Sequence, residues 1–186
     1  MTTITLCFAL CTAPGRVAAD SPLVMAPQVR AVRARQPVSV DGRLDEAIWQ
    51  TAVRMSGFVQ RDPIEGAAPS ESTVVLVAYD DAALYIGARM HDPHPDSIVA
   101  RLGRRDAYAN SDRFNVFLDP YHDRRSGVYF GVDAAGTLYD GVLLNDDWDD
   151  DSWDGVWDGR ARIDSLGWAA ELRIPYSELR LREAPE

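Results

Sequence analysis

From residue 71 onward, apolar side chains recur at every second position in short runs, which is the period of a pleated strand and not of a helix. Val75, Val77 and Tyr79 alternate with Val74, Leu76 and Ala78. That run is apolar on both faces and is expected at a central position in a sheet. Asp80-Asp81-Ala82 turns the chain into residues 83–90, where Leu84, Ile86, Ala88 and Met90 share one face; the two runs read as an antiparallel hairpin. Further strands are expected over 113–118, 128–132, 137–143, 157–163 and 168–174. Turn residues separate them: Asp119-Pro120, Arg125-Ser126-Gly127, Ala135-Gly136 and Leu166-Gly167. Ahead of them, Val38-Ser39-Val40 alternates, Asp41-Gly42 signals a turn, and residues 44–52 form a short helical candidate that carries Leu44, Ile48 and Trp49 toward a core, with Asp45 as its N-cap. Short strands, tight turns and one short helix near the start predict an all-β fold, an antiparallel β-sandwich of jelly-roll or Greek-key type. No internal repeat is present.

The organisation along the chain follows from the interruptions in this pattern. Residues 4–13 are mostly apolar but too few to span a bilayer, and Val17-Ala18-Ala19 supplies small residues of the kind cleaved by a signal peptidase. Residues 1–19 are therefore expected to be a signal peptide and the protein to be exported, to the periplasm, the outer membrane or the medium. Residues 20–36 are rich in Pro, Ala and Arg without periodicity and read as a linker. The sandwich is expected over 37–182, and 183–186 as the start of a further region. The chain of 186 residues, 46% hydrophobic, has the material for one core.

Composition narrows the chemistry. Both cysteines, Cys7 and Cys11, fall in the expected leader, so a mature domain would lack disulfides and thiolate chemistry. A formal charge of -10 repels a polyphosphate backbone and argues against nucleic acid as a partner. No nucleophile elbow or phosphate loop occurs, and no spacing selects a pair of carboxylates for glycoside hydrolysis. Glu171 alternates with core positions and is expected to point outward. His91 and His94 stand three apart in a Pro-broken loop, a poor start for a metal site.

The tryptophans are more informative. Trp49 and Trp168 lie within apolar patterns and are expected in the core. Trp148, Trp153 and Trp157 punctuate an acidic run, Asn145-Asp146-Asp147-Trp148-Asp149-Asp150-Asp151-Ser152-Trp153-Asp154. A flat ring packs against the weakly apolar C–H face of a pyranose while carboxylates, amides and guanidinium groups bond its hydroxyls. Trp148, Trp153 and Trp157, with Arg113 and Asn115 from an adjoining strand, are thus candidate ligand-binding residues. The alternatives are rings lying flat over a sheet edge, a core position for Trp157, and an ordinary solvated strand face for Arg113 and Asn115. The same run offers Asp146, Asp147, Asp149 and Asp151, together with Asp150, as oxygen ligands for calcium. It lacks the central Gly and terminal Glu of an EF-hand loop, and its other reading is a negatively charged loop that guards an edge strand.

Several segments taken in order resemble the family 9 carbohydrate-binding modules. They are Val40-Asp41-Gly42-Arg43-Leu44-Asp45-Glu46-Ala47-Ile48-Trp49, then Val77-Ala78-Tyr79-Asp80-Asp81-Ala82-Ala83-Leu84-Tyr85-Ile86, then Ser111-Asp112-Arg113-Phe114-Asn115-Val116-Phe117-Leu118-Asp119-Pro120. Asp123-Arg124-Arg125, Tyr129-Phe130-Gly131-Val132-Asp133, Asp140-Gly141, Trp153-Asp154-Gly155-Val156-Trp157-Asp158 and Gly167-Trp168 resemble a subgroup that places such a module ahead of an outer-membrane barrel-like region of unknown function. The resemblance implies a β-sandwich, sugar binding, often a structural calcium, and association with glycoside hydrolases. The function expected is that of a non-catalytic carbohydrate-binding module, in an exported protein linked to carbohydrate catabolism, with an oligosaccharide or polysaccharide as partner. The rival is a structural domain that packs against a downstream outer-membrane barrel and binds no sugar. A third reading is haem held on Met90 and His91.

Overall fold

The period-two runs from residue 71 onward become strands, while Val38-Ser39-Val40 does not, and the strands form two sheets. The computed structural model describes residues 29–144 and 148–179. Its elements are β1 (Val32–Arg33), α1 (Ala47–Thr51), β2 (Thr73–Tyr79), β3 (Ala83–His91), β4 (Arg113–Leu118), β5 (Ser126–Asp133), β6 (Leu138–Leu144), β7 (Trp148–Asp150), β8 (Asp158–Asp164), β9 (Gly167–Pro175) and α2 (Tyr176–Leu179). One sheet has the order β1-β2-β3-β9-β8 and the other β4-β5-β6-β7. The expected all-β sandwich is the fold observed.

Between the sheets lies the main core. Val75, Ile86, Ala88, Trp168, Ala170, Leu172 and Ile174 from the first sheet meet Val128, Phe130 and Val132 of the second, with Phe114, Val116 and Leu118 packed against them. Met90 packs there as well. Trp49 and Trp168, each 4% exposed, occupy core positions as expected.

A second cluster forms on the opposite face of the first sheet. Trp49 and Ala52 close over Leu76, Ala78, Ala83 and Tyr85, with Leu44 and Ile48 packed alongside. This is why β2 is apolar on both faces: α1 and the chain leading to it cover the side turned away from the main core. The helix is shorter than the sequence suggests. Its N-cap is Glu46, which makes no side-chain capping bond, so Asp45 does not cap it.

Two elements have no periodic signal. Val32–Arg33, within the stretch expected as a linker, pairs in parallel with Ala78 and Tyr79 of β2, and the Ala34 N–H donates to the Tyr79 carbonyl at 2.7 Å. The open edge of β2 offers backbone groups that need partners, and this short segment supplies them. Trp148–Asp150, in the acidic run, pairs with Leu144, Leu143 and Val142 and forms an edge strand that carries charge.

The largest departure from expectation is Glu171. It does alternate with core residues and leaves the main core, but it is 1% exposed because the N-terminal segment folds over it. One carboxylate oxygen accepts the backbone N–H groups of Asp41 at 3.0 Å, Gly42 at 2.8 Å and Arg43 at 3.2 Å. The other accepts the indole N–H of Trp49 at 2.8 Å. Burial pushes the carboxyl up from its ordinary value, and the N–H groups of Asp41 and Gly42 and the indole pull it back. Gly42 sits at φ 85°, where a side chain would be strained, and a Cβ there would come 3.0 Å from the Ala161 backbone.

Glu171→Gln puts an amide NH2 against N–H donors, and the expected loss is about 2–3 kcal/mol in denaturant unfolding. A midpoint indistinguishable from the parent would contradict the role of Glu171 as the tie between β9 and the N-terminal segment.

Candidate binding site

Because β4 and β5 turn Phe114, Val116, Leu118, Val128, Phe130 and Val132 toward the core, the intervening residues face away from it. Register then fixes rows across this outer face. Asn115 stands opposite Gly131 and Gly131 opposite Tyr139, while Phe117 stands opposite Tyr129 and Tyr129 opposite Gly141. Leu143 is paired with Asp149.

The glycines let side chains lie over the sheet. A Cβ on Gly131 would collide with the Asn115 amide oxygen; one on Gly141 would come 2.6 Å from the Tyr129 ring and 2.7 Å from the Asp150 carbonyl. Phe117, 60% exposed, and Tyr129 are tilted rings with centroids 5.8 Å apart at 40°. At one end of β4, the Arg113 guanidinium lies 3.8 Å over the Tyr139 ring and 5.2 Å from the Tyr108 ring, close enough for attraction to both. Burial, and then the charge of Asp149, push the Tyr129 hydroxyl up from its ordinary value, which keeps it a neutral donor near pH 7. Arg113, Asn115, Phe117, Tyr129 and Asp149 border a cleft of about 710 Å³.

The turn between β4 and β5 closes the cleft's other end. Asp119 accepts the backbone N–H groups of Asp123 at 3.2 Å and Arg124 at 2.8 Å. Asp123 accepts those of Arg125 and Ser126, both at 2.8 Å, and the Ser126 hydroxyl at 2.8 Å. The Ser126 and Arg125 N–H groups hold the Asp123 carboxyl below its ordinary value. His122 and Arg124 adopt positive φ, 53° and 56°, an uncommon conformation that this bonding sustains. Arg124 and Arg125 thereby join the lining of the cleft.

Of the residues expected from sequence, Arg113, Asn115 and Asp149 come together here. Trp157 does not: it is 6% exposed, with its ring 5.2 Å from Phe130 in an edge arrangement. Trp153 packs its edge on Phe130 at 6.0 Å and lines a separate hollow of about 320 Å³ with Val142, Leu144 and Leu179. Trp148 is a residue of β7, in register with Leu144. Asp146 and Asp147 lie outside the described residues, and Asp151 is an exposed turn residue. Sequence reasoning missed Tyr108, Phe117, Tyr129, Arg124 and Arg125. Alternation along β4 places Phe117 with Arg113 and Asn115, a usable signal; the partners from β5 and β6 depend on register, which one sequence does not display.

An acidic group absent from the sequence reading is Asp106, Asp140 and Asp154, whose nearest oxygens lie within 4.8 Å of one another. The Arg105 guanidinium already occupies it. Its Nε donates to Asp140 at 2.9 Å, and its Nη2 donates to the same oxygen and to the Gly155 carbonyl at 2.7 Å. The guanidinium also approaches Asp106 at 3.5 Å and Asp154 at 3.3 Å. Burial pushes the Asp106 carboxyl up from its ordinary value. A calcium ion does not fit this cluster without displacing Arg105.

No protein-family model matches the chain, and no curated protein matches its sequence. Solved structures do match. A family 9 carbohydrate-binding module from Caldicellulosiruptor kristjanssonii in complex with cellotriose is 21% identical with a TM-score of 0.55, covering 84% of this chain and 69% of the module. A complex of such a module from the same organism with glucose gives 20%, 0.55, 84% and 71%. A candidate carbohydrate-binding protein from Bacteroides uniformis ATCC 8492 is 11% identical with a TM-score of 0.62, over 83% of this chain and 75% of that one. At these identities the likeness establishes the fold: the chain is a β-sandwich like the family 9 modules.

Asp140 is fully buried, so Arg105→Met leaves its charge uncompensated. The expected cost is about 3–5 kcal/mol in unfolding measurements, part of it recovered by millimolar calcium in the variant. A loss below about 1 kcal/mol would show that Arg105 does not hold the cluster together.

Proposed function

We propose that the outer face of β4–β6, with Asp149 of β7 at its border, is a carbohydrate-binding surface, and that the chain acts as a non-catalytic module holding a glycan near a partner region. The observation that carries this reading is the exposed Phe117 ring beside Tyr129 on a glycine-floored sheet, flanked by Arg113, Asn115 and Asp149. An apolar ring surface bordered by fixed donors and an acceptor complements a pyranose, which offers an apolar C–H face and a rim of hydroxyls. The shared fold with modules solved in complex with cellotriose and glucose supports the same reading. Export of the protein, and a place in carbohydrate catabolism beside a glycoside hydrolase or an outer-membrane barrel, belong to the proposal; the apolar residues 4–13 followed by Val17-Ala18-Ala19 support the export part.

Shallow stacking sites bind weakly, so isothermal titration of the whole chain against a broad oligosaccharide panel is the appropriate test. Phe117→Ala or Tyr129→Ala is expected to weaken binding by about 1–2 kcal/mol each, while Trp153→Ala leaves affinity unchanged after correction for its stability loss. Loss of binding only in Trp153→Ala would move the site to the hollow beside α2. Silence across the panel from a folded protein would favour the structural, barrel-packing role.

A further inference from the structure

Three guanidinium groups border the cleft, those of Arg113, Arg124 and Arg125, against two carboxylates, Asp119 and Asp149. Among the lining residues the balance is positive, in a chain whose net charge is -10, with Asp123 acting on Arg125 and Asp151 on Tyr129 from just outside. The arginines elsewhere that face acidic residues show how such groups are ordinarily used: Arg33, Arg43, Arg89, Arg105 and Arg173 each form an ion pair. Among the described residues, Arg113, Arg124 and Arg125 form none. Arg113 instead lies against the Tyr139 ring and near Tyr108, contacts that orient a guanidinium while leaving its N–H fork free of protein acceptors. Asp119 forms no ion pair with these arginines among the described residues; both of its oxygens accept backbone N–H groups of the turn. That turn, braced by Asp119 and Asp123, holds Arg124 at φ 56°. A bulky charged residue thus stands in a conformation that usually selects Gly or Asn, on a turn kept in shape by five side-chain bonds.

Resting on the assignment of this face to glycan binding, we infer that its ligand is an acidic oligosaccharide whose sugar rings carry carboxylates, a uronate polymer fragment, with Phe117 and Tyr129 packing a ring and the unpaired arginines receiving the carboxylates. Planar guanidinium and planar carboxylate match through two parallel N–H···O bonds, and neutral hydroxyls do not use that match. Arg113 and the Arg124–Arg125 pair stand at opposite ends of β4. Six strand residues separate the ends by about 17 Å, so successive charged rings along one chain are a better fit than a single monosaccharide.

The test titrates the whole chain with oligogalacturonate, oligoglucuronate and oligomannuronate, each beside its methyl ester, which keeps ring and linkage and removes the charge. The acid of at least one pair is expected to bind about tenfold or more tightly than its ester. Raising salt from about 0.05 to 0.5 M should weaken the acid and leave the ester unchanged. Arg124→Gln/Arg125→Gln, with an unfolding midpoint matching the parent, should abolish the preference, so that acid and ester of the same pair bind alike. Equal binding of acid and ester in every pair, or binding only to neutral glycans, overturns the acidic ligand and leaves the carbohydrate face standing. No binding to any glycan by the folded protein overturns both.

Discussion

A carboxylate with four N–H groups converging on it, sealed from water between a strand and the segment that crosses it, is the point on which the rest of this sandwich depends. Glu171 ties the Asp41-Gly42-Arg43 turn and the Trp49 indole to the face of β9. Burying a carboxylate is costly unless its hydrogen-bonding capacity is filled, and only the folded position of residues 41–49 fills it. The same contact explains the two-sided apolar character of the first sheet. With the N-terminal segment fixed there, Leu76, Ala78 and Tyr85 lose their exposure to solvent, and that sheet is left with buried surface on both sides.

The consequence for function is a division of labour between the sheets. The first sheet carries buried residues on both faces along β2, β3 and β9. The second gives one face to the core and leaves the other open, and the Arg105 cluster anchors β6 to the chain on either side of it through Asp106, Asp140 and Gly155. On the open face, Gly131 and Gly141 allow Asn115 and Tyr129 to lie flat, and the braced β4–β5 turn brings arginines to one end. Rigid strands carry the rings, and a turn braced by Asp119 and Asp123 carries the two arginines.

Much of the architecture was legible in the chain. Alternation located β2–β6, β8 and β9, and Leu44, Ile48 and Trp49 pointed to the helix that covers the first sheet. Glu171 shows where that reasoning stops. Periodicity assigns a residue to a face but says nothing of what a distant segment, more than 120 residues away in sequence, lays over that face. The candidate binding face was visible only in part for a related reason. Arg113 and Asn115 were read from one strand, whereas Tyr129, Gly141 and Arg124 join them through strand register and turn geometry. The acidic neighbourhood of Trp157 left exposure and a core position both open, and the ring turns inward against Phe130.

The central claim is the location of the ligand on the outer face of the second sheet, and amide chemical-shift mapping of the isotopically labelled chain during an oligosaccharide titration tests it most directly. Shifts concentrated at Asn115, Phe117, Tyr129, Gly131 and Gly141, extending into the Arg124–Arg125 turn, are the predicted result. Shifts centred on Trp153 and Leu179, with the β4–β6 face unmoved, would contradict it.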